Sequence, residues 1–229
     1  MILLALDTCL SAASVAIASE EKLFGLYYID NKLTHSTKLV PMITSLLSEL
    51  DLTAKDIDAF ACTNGPGSFT GIRIGIATAK GLSLPEEKPV VPISSLAAAA
   101  YNFPNQPLPI CTMTDARNSQ VFFGKYQFTK TGFKELSVPA AADISEVSKS
   151  ITEPTIVSGD GAVKYRELLT LNKNIIFAPP HQNMPNAACL AAAAFDEIKK
   201  SGFPPAVAVD ALYVRKSSAE QEKERKNLK

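Results

Sequence analysis

Between Asn64 and Gly81 the chain reads NGPGSFTGIRIGIATAKG, with glycines at 65, 67, 71, 75 and 81. Glycine-dense turns that follow a strand suit phosphate binding, because they bring free backbone amides to a helix N-terminus. The spacing decides against the two nucleotide motifs of that kind. A P-loop needs GxxxxGK and then Ser or Thr, so that lysine and hydroxyl reach the terminal phosphate and its magnesium. Gly65, Gly67 and Gly71 instead give GxGxxxG, one residue longer than the dinucleotide fingerprint, with no early strand and acidic partner to match. Anion binding at such a turn remains an open alternative.

Other chemistry-bearing residues are sparse. His35 and His181 are the two histidines, and a helical metal pair would want a second histidine four residues on, where Leu39 stands. No metal site is expected, and His35 reads as the start of a helix. GPGSFTG lacks the GxSxG elbow of serine hydrolases. A peptidase would need a nucleophile with a base beside it, or a metal pair, and the sequence assembles neither. Asp7, closing the first apolar run, and Asp160, in the turn Gly159-Asp160-Gly161, are candidates for flanking a nucleotide cleft between two halves. Against turnover stands Thr8-Cys9-Leu10-Ser11 after Asp7, which lacks the glycines of a phosphate-gripping hairpin. Cys9, Cys62, Cys111 and Cys189 form no CxxC pair and read as small core residues in a reducing, cytoplasmic setting.

The elements that position these residues follow from periodicity. MILLALDT, SAASVAIAS and KLFGLYYI read as a three-stranded meander, the outer two strands apolar enough to be buried. From Thr34 to Leu50 the apolar residues Leu39, Val40, Met42, Ile43, Leu46, Leu47 and Leu50 sweep roughly 160° of a helix. A strand ending at Thr63 leads into the glycine stretch and a second helix, about 69–84. On that helix Gly71, Gly75 and Ala79 stack into a ridge with no side chain beyond a methyl, with Arg73 and Lys80 as a narrow basic stripe. Such a ridge admits another backbone closely. Packing within the chain is the plain reading; the breadth of both apolar helix faces favours a partner interface, and a bulky Gly75→Leu change is then expected to block docking while sparing the monomer.

The Pro-rich 102–110 stretch marks a boundary between halves 1–105 and 106–229. Beyond it come a hairpin turning through Asp115 to Ser119, a helix opened by Asp143, a strand entering Gly-Asp-Gly, and an alanine-rich helix about 186–201 expected to pack back on the first half. The second half reads as a worn copy of the first. RKSSAEQEKERKNLK, residues 215–229, is a charged tail without periodicity. Lys plus Arg and Asp plus Glu number 23 each, so bulk charge recruits neither nucleic acid nor an anionic membrane. The start has no signal-peptide pattern and no run approaches a membrane span of about 20 residues.

With these residues in view the sequence resembles the TsaB (YeaZ) family, through ILLALDTCLSAASVAI, HSTKLVPMITSLL, NGPGSFTGIRIGIATAKGLS, PISSL, TDARNSQVFFGKY, IVSGDGA and ALYVRKSSAE. The resemblance implies an α/β, actin-like (sugar-kinase-like, ASKHA) fold of two ribonuclease-H-like halves, each with a mixed sheet and helices. It implies a non-catalytic subunit in making threonylcarbamoyladenosine, next to the anticodon of tRNAs reading codons that begin with A. TsaD, which carries the metal, and the ATPase TsaE are the implied partners. A homodimer is implied when the chain is alone, tRNA is reached only through the complex, and an adenine nucleotide at the partner boundary is conceivable. The first two helices are the implied partner surface, which nominates Met42, Leu46, Gly71, Ile72, Arg73, Gly75 and Ala79. The alternative is an ATP-using kinase or ATPase of the same fold.

Overall fold

The computed structural model describes residues 1–31, 35–204 and 206–214. Thr34, read as the start of the first helix, and the tail 215–229 lie outside the described residues.

Two five-stranded sheets form the molecule, and they share one strand order. In the first, β1 (Leu3–Asp7), β2 (Ala13–Ala18) and β3 (Leu23–Ile29) run as an antiparallel meander, and β4 (Ala59–Thr63) and β5 (Val90–Ile93) add parallel strands on the other side of β1. The order is β3-β2-β1-β4-β5. β1 and β4 are buried along their whole length, as unbroken apolar runs must be when both sheet faces are covered. The meander differs from its reading in one respect: β2 is fully buried, whereas β3, expected to be buried, is a half-exposed edge strand.

The second sheet holds β6 (Ile110–Asp115), β7 (Gln120–Thr129), β8 (Gly132–Asp143), β9 (Thr155–Ser158) and β10 (Ile175–Phe177), ordered β10-β9-β6-β7-β8. Adding five to each strand of the first sheet reproduces this order. The helices repeat as well. α1 (His35–Glu49) and α2 (Phe69–Ser83) flank β4; α4 (Ile144–Lys149), then α5 (Asp160–Lys164) and α6 (Arg166–Leu169), flank β9.

The remaining helices are exchanged between the halves. α3 (Ser95–Ala100) follows β5, yet Leu96 and Ala100 pack with Ile110, Tyr126 and Ile156 of the second sheet. After α7 (Pro180–Asn183) comes α8 (Ala187–Ser201), whose Leu190, Ala191 and Ala194 lie among Leu3, Ala5, Ala16, Ala61 and Val91 of the first sheet. Alanine is the strongest helix former and keeps a helix close to a sheet. Its ends carry ordinary stops: the Asn186 side chain accepts the Ala188 and Cys189 amides, and Gly202 at φ +76° closes the last turn.

Candidate functional site

α2 starts from an ordered turn. The Ser68 side chain accepts the Gly71 amide at 3.3 Å, and the Ser68 amide donates to the Cys9 carbonyl at 2.7 Å, so the helix start is tied to the β1–β2 turn. The small-residue ridge faces the same way. The Thr8 hydroxyl donates to the Gly71 carbonyl at 2.7 Å, a Cβ on Gly71 would strike the Thr8 carbonyl, and one on Gly75 would lie 2.7 Å from Thr8 Oγ1 and 3.5 Å from Leu6 Cδ1.

This corrects the expected partner surface. Gly71 and Gly75 close on the end of β1, because only residues without a side chain let α2 approach Thr8, and Ala79 is buried in the apolar cluster of Leu4, Leu6 and Phe60. Met42 and Leu46 sit in the apolar cluster of Leu4, Val15 and Phe60, and Ile72 is 1% exposed. Of the seven residues nominated, Arg73 alone stands exposed. Beside Arg73, the outward faces carry residues not nominated: Val40 (54% exposed), Pro41 and Thr44 on α1, Thr70 and Ala77 on α2, and Leu84 (75%) just beyond it. A periodic apolar stripe identifies a covered face, and here the chain's own first sheet is the cover.

A cavity of about 630 Å³ opens between the halves, with Cys9 to Ser11, Pro66 to Thr70 and His35 on one side and Thr114 to Arg117 and Asp160 on the other. Asp160 lines it, accepting the Asp115 amide at 3.1 Å; burial pushes its carboxyl up, against the amides of Asp115 and Gly161. Burial also raises Asp115, but Lys164 at 2.7 Å, the Arg117 amide and the Tyr165 hydroxyl hold it net below the usual carboxylate range. Gly159 is structural: its amide donates to Asn183, and a Cβ there would strike the Met113 carbonyl. Asp7 is not a cleft residue either. It is buried behind the turn, accepting the Thr63 hydroxyl at 2.6 Å and the Cys9 amide at 3.0 Å, and desolvation raises its pKa against those two donors.

The β1–β2 turn is engaged on itself. The Cys9 amide is taken by Asp7, the Cys9 carbonyl by Ser68, and the Leu10 carbonyl accepts from His35 Nε2 at 2.8 Å. The residue four beyond His35, Leu39, points into the core, so α1 presents no second donor for a metal. Among the described residues no cluster of His, Cys, Asp or Glu is arranged to hold one. Burial lifts the thiols of Cys62 and Cys111 to about 12 and leaves them inert core groups.

A family model described as TsaD: tRNA N6-adenosine threonylcarbamoyltransferase matches residues 30–218. The tRNA threonylcarbamoyladenosine biosynthesis protein TsaB of Bacillus subtilis (strain 168) is 32% identical over 173 residues, which cover 74% of this chain and 75% of that one. The chain belongs to the TsaB family. YeaZ from Pseudomonas aeruginosa superposes with a TM-score of 0.80 at 27% identity, over 93% of this chain and 100% of that one. A 14%-identical activator of 2-hydroxyisocaproyl-CoA dehydratase from Clostridium difficile, with ADPNP bound, reaches a TM-score of 0.51 over 93% of this chain and 100% of that one. That likeness concerns the fold alone, which for this TsaB family member is the actin-like, sugar-kinase-like one of two mixed sheets. Among its described residues no helix is long and apolar enough to cross a membrane.

Proposed function

We propose that this chain is a non-catalytic platform subunit in the formation of threonylcarbamoyladenosine in tRNA, docking a TsaD subunit on the outward faces of α1 and α2, with the ATPase TsaE completing the complex. The observation that carries this reading is kinship: 32% identity to a protein named for that pathway over three quarters of each chain. Three features support it. Val40 and Leu84 are large apolar side chains left exposed at those helices, and Arg73 is exposed on α2. The turn that would grip a phosphate has its Cys9 amide already committed to Asp7. A formal charge of zero fits a subunit that meets tRNA only through its partners. Alone, the chain is proposed to pair with a second copy through the same faces.

Size-exclusion mass determination of the chain with TsaD and TsaE, with and without ATP, tests the proposal. A stable complex is expected, lost on Val40→Glu or Ala77→Glu with the fold unchanged. A wild-type chain that elutes apart from TsaD overturns the role; charge variants that still coelute overturn the surface.

The rival reading, an ATP-using enzyme, has the 630 Å³ interlobe cavity and its Asp160 in its favour. ATP turnover by the isolated chain, lost on Asp160→Ala, would establish it.

A further inference from the structure

The glycine stretch holds something besides β1. Val209 is 1% exposed, in the apolar cluster of Leu6, Leu39 and Phe60, and beyond it residues 210–214 run across the turn between β4 and α2. Asn64 Nδ2 donates to the Asp210 carbonyl at 3.1 Å, and the Leu212 amide donates to the Asn64 carbonyl at 2.7 Å. The Tyr213 ring stacks on Phe69, centroids 4.6 Å apart and planes 23° off parallel. Arg73 joins them, its Nε donating to the Tyr213 hydroxyl at 3.1 Å and its guanidinium lying 4.0 Å from the Phe69 ring centroid. Gly65, at φ +114°, leaves room for the Leu212 carbonyl, which a Cβ there would meet at 2.7 Å. Two stretches far apart in sequence, NGPGSF and ALYV, are therefore one docking unit.

The unit is fixed at one end and open at the other. Leu212 and Tyr213 are 36% and 44% exposed, and Leu212, Tyr213 and Val214 wall one side of the interlobe cavity. What holds them is a ring stack and a few hydrogen bonds near solvent, each individually modest. Few buried contacts and hydrogen bonds near solvent are what local opening requires.

We infer that residues 210–214 form a latch: closed, it occupies Phe69 and Arg73 on the first turns of α2, and a TsaD subunit docking on α2 competes with it for those two side chains. The inference rests on the docking reading above. It explains why Arg73, the exposed cation of that face, is held by the chain's own Tyr213 in the unpartnered protein.

Hydrogen exchange on the full chain, free and with TsaD, tests the latch. Tyr213→Ala is expected to speed exchange of the Leu212 amide about tenfold while β1 and β4 amides keep their protection. TsaD is expected to release the Leu212 amide in the wild type, and the variant to bind TsaD about tenfold more tightly. Slower Leu212 exchange in the complex, or weaker binding by the variant, would make the segment part of the interface and overturn the latch. Equal loss of protection in β1 and β4 would make it a structural plug and overturn it as well. Binding with unchanged affinity and unchanged Leu212 protection refutes the latch alone, whereas failure of wild type and variant alike to bind TsaD refutes the docking reading and the competition with it.

Discussion

Thr8 accounts for the two glycines in the first half of α2. Its carbonyl and hydroxyl occupy the space a side chain at 71 or 75 would fill, so these glycines are spent on intramolecular contact. Gly71→Ala is expected to lower stability by about 1–3 kcal/mol, read as a lower urea midpoint, because the added methyl meets backbone that cannot rotate away. Gly75→Leu, expected from the sequence to spare the monomer, should instead destabilise it, since Leu6 and Thr8 lie behind the position. The four-residue spacing was legible; its direction was not, because Thr8 is a distant neighbour in sequence. Asp7 gives a prediction with a sign. Burial raises its folded pKa above the unfolded value, so wild-type stability falls as pH rises from the unfolded pKa through the folded one. Asp7→Asn keeps an oxygen to accept from Thr63 and Cys9 without that charge, and its stability relative to wild type should grow across the same pH window in urea titrations. Asp7→Ala leaves both buried donors without an acceptor and should cost about 1–3 kcal/mol.

At the level of elements, periodicity located nearly every helix and misjudged what some of them face. α1 buries Leu39, Met42, Ile43, Leu46 and Leu47, a narrower stripe than the residues from Leu39 to Leu50 suggested, and Val40 falls outside it. That exclusion makes Val40 useful. Val40→Glu on α1 and Ala77→Glu on α2 change exposed positions, so melting temperatures should stay within a few degrees while TsaD binding drops by about tenfold or more. α2 and α8 were readable to within a residue or two, and in the structure Ser68, Asn186 and Gly202 cap them. β8 was not read as a strand. It carries Pro139, is half-exposed and shifts register against β7, features an edge strand tolerates and a pattern search penalises. β10, three residues long, offers too little pattern to find.

For the whole molecule, the repeated strand order explains why the second half read as a worn copy of the first. Of the two exchanged helices, α8 was expected to pack back on the first half, whereas α3 had no such signature, because a short alanine-rich helix packs equally well on either sheet. Residues 1–105 expressed alone should therefore fail to fold: without α8, the face formed by Leu3, Ala5, Ala16 and Val91 is bare. Circular dichroism and proton NMR of that fragment check this, with dispersed amide resonances counting against it. The swap also sets a timetable for biosynthesis. Domains commonly mature in the order they leave the ribosome, but here the strands translated first wait, sticky on one side, until residues 187–201 emerge, so nascent chains stalled before that point should be held by chaperones and be unusually sensitive to protease.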